Sequence, residues 1–327
     1  MKTLIITKKD TAKVLTPAVA NTTVEKAFRA YGMGQTDMPA KSYIMFPKGD
    51  MRSMPAYIHG QGFDVAGIKC VNVHPENSRK YGLPTVMAVI VLTDPKTGFP
   101  LAIMDGTYLT GMRTGAAGAT AVKLLSRKNA TLAGFVGYGV QARTQLACSM
   151  EVRKLKTIKI WTGPDETLAR TFAKWARQTY NLETILSEVI DDVTMNVDIL
   201  IMTTSSRTPL VNTISPGTHI NAIGADAPGK QELNPKIFRG ATVVIDNWAQ
   251  ASHSGEINVP LRKRYLSKKD IYGELGEIVA KKKKGRTAAK EITIFDSTGL
   301  AIQDVSCASV VYKALRDKKG IRSITLF

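Results

Sequence analysis

Short apolar segments alternate with helix-length segments through the middle of the chain, and this alternation constrains the fold more than any other feature. Apolar runs typical of buried strands occur at 132–136, 157–161, 198–202, 219–223, 242–246 and 292–295. Amphipathic stretches separate them, the clearest at 166–180. Because strands joined through helices form right-handed β-α-β units, we predict an α/β domain with a doubly wound parallel sheet over residues 116–301.

The flanking segments have a different pattern. Residues 1–115 mix short apolar runs with turn signals and one early helix at about 16–31, which indicates a small sheet. The last segment, 302–327, begins with apolar residues at helical spacing: Ile302, Val305, Ala308, Val311 and Leu315. If this helix packs back on the first segment, 1–115 and 302–327 form one discontinuous α+β domain.

Composition excludes several classes of protein. No run of about 18 apolar residues occurs, so a membrane span is not expected. The three cysteines are scattered and lack metal-ligand spacing, which is typical of reduced thiols in a cytoplasmic protein without a metal site. The net charge of +18 is spread along the chain, so a nucleic-acid partner is not expected. A positive field also suits an anionic substrate or cofactor.

A glycine-rich turn follows the first strand of the predicted parallel sheet. Gly137 suits a tight turn, Gly139 lets backbone approach a pyrophosphate, and Val140 and Gln141 begin a helix whose N–H groups face that anion. Ala142 lets the helix pack closely. The pattern alone is weak, and a purely structural turn is the alternative, but its strand–turn–helix context predicts a Rossmann dinucleotide site.

The acidic residue of this fingerprint is missing. An Asp or Glu that binds the ribose 2′-hydroxyl is expected about 20 residues further on, at the end of the second strand. That strand ends at Thr162, and Asp165 lies too late in the chain. Since threonine does not repel a 2′-phosphate, the sequence leaves both NAD and NADP open.

Two basic residues in the first segment could carry chemistry. Lys69 lies inside the strand-like run 67–72, where alternation points it either inward, with a partner or a lowered pKa, or outward from an edge strand. The pattern alone favours the outward orientation. Arg52 lies among apolar neighbours and suits a substrate carboxylate, although most arginines are surface residues.

Two further segments suit ligand binding. The stretch 111–118 is predicted to open a helix, whose first N–H groups would bind an anion together with Arg113 and Thr114; an ordinary capped helix is the alternative. Asp226 follows a buried strand, at the sheet edge where ligands of α/β proteins bind, and is either a general base or a helix cap.

Taken in order along the chain, these motifs resemble those of the ornithine cyclodeaminase/μ-crystallin family, and they are most similar to its archaeal alanine dehydrogenase branch. The resemblance covers nearly the whole chain. It depends on the segments 69–75, 82–86, 113–117, 137–142, 219–226, 228–233 and 295–299.

The resemblance implies roles for individual residues. It makes Lys69 and Asp226 the catalytic pair and gives the substrate carboxylate to Lys41, Arg52 and Arg113. The cofactor-binding residues that it implies are Thr114, Gly137, Gly139, Val140, Gln141, Ala142, Thr162, Thr203 and Ser297. It also implies a homodimer whose interface lies on the discontinuous domain.

The implied reaction is NAD(P)-dependent, reversible oxidative deamination of L-alanine or a similarly small amino acid to the 2-oxo acid and ammonia. Arg52 stands where cyclodeaminases carry glutamate, and it would repel the second ammonium group of ornithine. Thr162 stands where NAD-using relatives carry aspartate. An ornithine cyclodeaminase, a pyrroline-2-carboxylate reductase and a non-catalytic NADPH-linked ligand-binding protein remain alternatives.

Overall fold

A computed structural model describes residues 2–327. The chain forms two compact units. Unit 1 contains the chain up to Thr114 together with Leu300–Phe327, and unit 2 contains Gly115–Gly299. The sequence predicts domain boundaries at 115/116 and 301/302. These boundaries would separate domains that fold independently, and they stay a prediction.

Strands and helices account for most of the described chain. Its first part contains β1 (Thr3–Ile6), α1 (Lys8–Val14), α2 (Pro17–Gly32), β2 (Thr36–Asp37), β3 (Ser42–Phe46), β4 (Gly49–Gly60), β5 (Phe63–Val73), α3 (Asn77–Tyr81), β6 (Val86–Thr93), β7 (Pro100–Asp105), α4 (Thr107–Leu125), β8 (Leu132–Val136) and α5 (Val140–Met150). The remainder contains β9 (Thr157–Trp161), α6 (Glu166–Tyr180), β10 (Glu183–Ser187), α7 (Ile190–Thr194), β11 (Ile199–Met202), β12 (His219–Ala222), β13 (Ala241–Ile245), α8 (Trp248–Ser254), α9 (Asn258–Arg262), β14 (Ile271–Glu274), α10 (Leu275–Val279), β15 (Ile292–Asp296), α11 (Ala301–Leu315) and β16 (Arg322–Ile324).

Unit 1 is built on an eight-stranded sheet, larger than the small sheet that the sequence predicts. Its order is β16-β1-β7-β6-β5-β4-β2, and β3 also pairs with β4. All pairs are antiparallel except β1 with β7. The long hairpin of β4 and β5 turns at Gln61 and Gly62, both with positive φ (52° and 83°), which is the conformation that matches the twist of paired strands.

The last helix packs on one face of this sheet. Helix α11 contacts α2 and the strands β4, β5 and β6. Ile58, Ile90, Leu92, Ile302 and Val305 are fully buried in the apolar layer between sheet and helices. The prediction of a C-terminal helix that returns to the first segment is therefore confirmed.

Unit 2 is the predicted doubly wound parallel sheet, with strand order β10-β9-β8-β11-β12-β15-β13-β14 and every pair parallel. Alternate residues of β8 enter different cores: Phe135 packs with Phe172 of α6, and Val136 packs with Met202. Both faces of the sheet are thus covered, as a parallel sheet requires. The order reverses between β8 and β11, and ligands of such sheets bind at this point.

Helix α4 begins earlier than predicted. The Asp105 carboxylate accepts the N–H groups of Thr107 and Tyr108 (3.1 and 3.0 Å), so the helix starts there and not near residue 111. Arg113 and Thr114 lie in its second turn, where backbone N–H groups are bonded within the helix. The prediction of a helix N-terminus at this point is therefore wrong, whereas the binding roles of Arg113 and Thr114 stay predictions. No helix in residues 2–327 is long and apolar enough to cross a membrane.

Candidate active site

The glycine-rich turn of unit 2 joins β8 to α5. Gly137 has φ +110°, and a Cβ there would lie 2.5 Å from the Thr203 hydroxyl, so a side chain is excluded. Gly139 is the N-cap of α5 and offers no side-chain hydrogen bond to the helix. A Cβ at Gly139 would meet no other heavy atom within 4 Å. Open space therefore lies in front of the first N–H groups of α5, as binding of a phosphate requires.

Two buried hydroxyl groups follow the two strands that flank β12 in the same sheet. Thr203 comes directly after β11, and Ser297 comes directly after β15. In the described part of the chain, neither hydroxyl has a hydrogen-bond partner. Since buried polar groups are rarely left unpaired, these two hydroxyl groups fit contacts to a bound molecule. Together with the open turn, they fit a dinucleotide.

Thr162 takes the place of the expected acidic residue. It is buried directly after β9, and its hydroxyl donates to the Ser187 carbonyl at 3.4 Å. The residue thus brings no negative charge to the end of this strand. The structure leaves the choice between NAD and NADP as the sequence does.

Asp226 lies in a loop that follows β12. Its Oδ1 is 2.6 Å from the ammonium group of Lys230, which the sequence analysis did not single out. The buried Glu232 carboxylate accepts the N–H groups of Thr204 (2.7 Å) and Gly224 (3.0 Å) and so ties the start of this loop to the segment that follows β11. Asp226 is therefore a half-buried carboxylate beside a cation and not a helix cap.

A second buried carboxyl group lies beneath this loop. Glu256 Oε1 accepts the N–H groups of Glu232 and Leu233 at 2.8 and 2.7 Å. Burial, and then the charge of Glu232, raise the pKa of Glu256 well above its ordinary value of 4.5. Burial also raises the pKa of Glu232. Above the ordinary pKa of 4.5, the folded chain therefore keeps a proton on Glu256 that an unfolded chain releases.

In unit 1, Lys69 lies on the inner face of a central strand. Strand β5 is paired on both sides, with Met54 of β4 and Ile90 of β6 opposite Lys69. The side chain is 0 % exposed. The outward orientation that the sequence pattern favoured is wrong, because that pattern could not show that β5 lies inside the sheet.

The partner of Lys69 is Asp304, in the first turn of α11. The Lys69 Nζ lies 2.8 Å from both carboxylate oxygens. Arg113 donates from its Nε to Asp304 Oδ1 (2.9 Å) and from a terminal nitrogen to Gln303 Oε1 (2.8 Å). One buried carboxylate thus joins two predicted site residues that are far apart in sequence.

This environment changes the acidity of the lysine. Burial lowers the pKa of Lys69 to about 7, with a further contribution from the charge of Arg113 and a smaller one from Lys41. The Asp304 carboxylate acts in the opposite direction. Lys69 is therefore an amine that can gain or lose a proton near neutral pH, which is what proton-transfer catalysis requires.

Arg52 is placed on the same inner face of the sheet. Its guanidinium makes two bonds to Asp50 (2.6 and 3.1 Å) and lies over the Tyr43 ring, 5.4 Å from its centroid. Lys41 is also buried. The structure thus collects Lys41, Arg52, Lys69 and Arg113 in unit 1, with Asp50 as a counter-ion that the sequence analysis missed.

Asp304 and Gln303 were also missed, although the sequence contained a signal. Asp304 precedes Ala308, Val311 and Leu315 by four, seven and eleven residues, so it lies on the apolar face of the predicted helix. A carboxylate on such a face needs a buried cationic partner. No group of three or more His, Cys, Asp or Glu residues among residues 2–327 could hold a metal ion.

Comparison with known proteins adds a family to this geometry. The model of the ornithine cyclodeaminase/mu-crystallin family matches residues 1–319. The chain belongs to this family. It is 44 % identical over 329 residues to an alanine dehydrogenase of Archaeoglobus fulgidus, with 100 % of this chain and 99 % of the relative covered.

Solved structures of this family share the whole fold. An archaeal alanine dehydrogenase dimer with bound NAD superimposes with a TM-score of 0.94 at 44 % identity, and both chains are covered completely. A Thermococcus litoralis Δ1-pyrroline-2-carboxylate reductase in complex with NADH and L-proline gives 0.93 at 36 % identity, with 99 % and 100 % covered. The predicted combination of a Rossmann sheet and a discontinuous α+β part is confirmed.

We predict that the buried carboxyl groups of unit 2 make stability depend on pH. Because the pKa of Glu256 is raised in the folded chain, the stability that its protonated form contributes is fully present below about pH 4.5, the unfolded value. This contribution is lost as the pH rises from there through the folded pKa. The Glu256→Gln protein stays neutral at this position. Its unfolding free energy should therefore rise relative to the wild type with increasing pH, by up to about 1.4 kcal/mol per pH unit.

Thermal unfolding of both proteins between pH 4 and pH 8 measures this difference. Glu188→Gln is the matched control, because Glu188 is exposed. Its melting curve should follow the wild type at each pH. A constant difference between Glu256→Gln and the wild type across the range would contradict the prediction.

Proposed function

We propose that the protein is an amino-acid dehydrogenase that uses NAD(H) or NADP(H) for the reversible oxidative deamination of L-alanine or a similarly small amino acid. One observation carries the proposal: a buried lysine with a pKa near neutrality lies among cations that suit a carboxylate. The 44 % identity to an alanine dehydrogenase over the whole chain supports the choice of reaction.

The balanced reaction consumes L-alanine, NAD⁺ and water and yields pyruvate, ammonium, NADH and a proton. When bound, the cofactor accepts hydride from the substrate Cα. Neutral Lys69 takes a proton from the substrate amine, so that the nitrogen lone pair is available as the Cα–H bond breaks. Asp226 is the second proton-transfer residue and assists the attack of water on the imine carbon. Its Oδ1 lies 2.6 Å from the ammonium group of Lys230.

The substrate carboxylate is assigned to Lys41 and Arg113. Even with Lys69 neutral, three cations against the two carboxylates Asp50 and Asp304 leave the inner face of unit 1 positively charged, which suits an anionic group. Asp50 offsets the charge of Arg52, so Arg52 acts on specificity with less than its full charge. Asp304 offsets the charge of Arg113 in the same way, so the preference against a second substrate ammonium group rests on the net positive charge of the whole cluster.

The cofactor is assigned to unit 2. The residues that suit its pyrophosphate are Gly137, Gly139, Val140, Gln141 and Ala142, because they form the open turn and the start of α5. Thr203 and Ser297 supply hydroxyl groups that lack protein partners. Thr114 and Thr162 keep the cofactor roles that the resemblance implies. NAD is favoured because similar structures contain it.

A cyclic-imine reductase is the second candidate. The likeness to a pyrroline-2-carboxylate reductase with bound NADH and L-proline favours it. Such a reaction uses the same groups in reverse: protonated Lys69 delivers a proton to the imine nitrogen as hydride reaches carbon. The two candidates differ in whether water takes part, and therefore in whether ammonia is formed.

A homodimer is part of the proposal. The similar alanine dehydrogenase was solved as a dimer. In unit 1, Ile44, Met45 and Val89 are about half exposed or more, and Val89 lies on the face of β6 opposite to buried Ile90. Apolar exposure of this kind is typical of a surface that a second chain covers.

We predict that L-alanine with NAD⁺ generates NADH and ammonia in equal amounts. L-ornithine should generate no net NADH, because the cationic inner face of unit 1 disfavours a second ammonium group. The measurement is absorbance at the NADH band together with ammonia determination, for amino acids and cyclic imines with both cofactors. Proline formed from ornithine without net NADH would refute the dehydrogenase and identify a cyclodeaminase.

We predict that Lys69→Met lowers turnover by about 100- to 10,000-fold, the usual contribution of a proton-transfer group. Methionine fills the buried space without a charge. NADH binding should persist, since the turn that we assign to the cofactor belongs to the other unit. Steady-state turnover and NADH titration of the same sample measure both effects, and turnover within a few-fold of the wild type would rule out the catalytic role.

We predict that Gly139→Val abolishes NADH binding, because a side chain would enter the open space in front of α5. Thr167→Val, at an exposed position of α6, is a control that adds the same side chain elsewhere in unit 2. Fluorescence titration with NADH compares the two proteins. Equal affinity in both would show that the pyrophosphate is bound elsewhere.

A further inference from the structure

Asp304 occupies the centre of the charged cluster in unit 1, yet the proposed reaction assigns it no step. Its carboxylate is fully buried, as is the amine of Lys69, and the Arg113 side chain is only 6 % exposed. Both oxygens contact Lys69 at 2.8 Å, and one also accepts from Arg113 at 2.9 Å. The carboxylate therefore has no role as a solvated surface charge.

We propose that Asp304 is a positioning residue of this enzyme, whose carboxylate fixes the Lys69 amine and the Arg113 guanidinium in one geometry and balances their charges. The inference rests on the proposed function for its kinetic consequences. It goes beyond that function because Asp304 acts through Lys69 and Arg113 and is assigned no contact with the substrate.

The position of Asp304 is itself fixed. It lies in the first turn of α11, where the helix dipole favours a negative charge. The preceding residue, Gln303, uses Oε1 to accept from both the Leu300 N–H (3.3 Å) and Arg113 (2.8 Å). The start of α11 thus holds Arg113 at two points. A carboxylate on a rigid helix orients its partners more precisely than one on a loop does.

Among the groups around Lys69, Asp304 is the one that balances the positive charge of the lysine and its cationic neighbours. Arg113 of α4 and Lys41 both lower the pKa of the lysine, whereas Asp304 raises it. On the neighbouring strands, the residues opposite Lys69 are the apolar Met54 and Ile90. Burial raises the pKa of the Cys307 thiol on α11, which therefore brings no negative charge. Arg52 on β4 is paired with Asp50.

Asp304→Asn tests the charge at nearly constant shape. Loss of the carboxylate removes the group that raises the pKa of Lys69, so the limb of the kcat/KM pH profile that reports Lys69 should move to lower pH by about one unit or more. Misorientation of Lys69 and Arg113 should also reduce kcat, by up to about 100-fold. Asp317→Asn, which removes an exposed carboxylate just beyond α11, should change neither quantity.

Asp304→Glu separates charge from shape. The longer side chain fits less well but keeps the carboxylate, so the pH limb should return towards that of the wild type. If Asp304 only fills space, Asp304→Asn should keep more activity than Asp304→Glu. Neither variant should then shift the Lys69 limb of the kcat/KM pH profile. An unchanged limb in Asp304→Asn would overturn the inference.

A measurement without turnover makes the inference independent of the substrate. The NMR chemical shift of the Lys69 Cε, assigned by comparison with Lys69→Met, follows protonation of the buried amine as a function of pH and needs no reagent to reach it. The midpoint should fall in Asp304→Asn and stay unchanged in Asp317→Asn. If no amino or imino acid is turned over, the proposed function fails, while this shift still supports the role of Asp304, and its absence overturns it.

Folding is checked with the same samples by NADH titration and thermal unfolding. If Asp304→Asn does not fold, the double variant Lys69→Met/Asp304→Asn decides, because it also removes the cation that lost its partner. Recovery of the fold in the double variant supports charge balance at this position. Continued failure to fold overturns the inference in favour of a purely structural residue.

Discussion

The buried contact between Lys69 and Asp304 is the constraint on which unit 1 depends. A single charge inside a protein costs several kcal/mol, and removal of one partner from a buried pair typically costs about 3–5 kcal/mol. Strand β5 carries its lysine on the face that α11 covers, between residues that are otherwise apolar. The sheet can therefore close against α11 only with the carboxylate opposite the amine. Packing and chemistry impose the same arrangement.

The two units place the polar groups of the proposed site in different environments. Unit 2 carries the polar groups that we assign to the cofactor where its parallel strands end. There the donors are backbone N–H groups and hydroxyl groups, which remain uncharged at every physiological pH. Unit 1 instead buries charged side chains within the sheet face itself. Burial tunes the acidity of Lys69, because a group must be withdrawn from water for its pKa to move by several units. The buried carboxyl groups of Glu232 and Glu256 in unit 2 follow the same rule.

The sequence predicts unit 2 better than unit 1, for physical reasons. Strands β8 and β9 and helix α6 have the predicted bounds, because local apolar period and flanking turn residues determine them. The edge strands β10 and β14 were not predicted, since an edge strand needs less apolar surface. The start of α4 was misplaced because the Asp105 cap, and not the later glycines, determines it.

The same limit applies to the candidate site. Lys69, Arg113 and Asp226 could be singled out from motifs that are local in sequence. The environment of Lys69 could not, because its partner is 235 residues away in the chain and pairing of that range depends on the complete topology. Asp50 is the opposite case: it lies two residues from Arg52, and its contact depends only on the local strand geometry.

The separation of Lys69 from Asp304 also has a consequence for the order of events during synthesis. Unit 2 is one uninterrupted segment, Gly115–Gly299, and its contacts can form as soon as that segment has left the ribosome. Unit 1 must wait for Leu300–Phe327, although seven of its eight strands are made first. Until then the nascent sheet carries an uncompensated lysine on its apolar face. Unit 1 therefore stays incomplete through most of translation, until α11 has been made and can pack on its sheet.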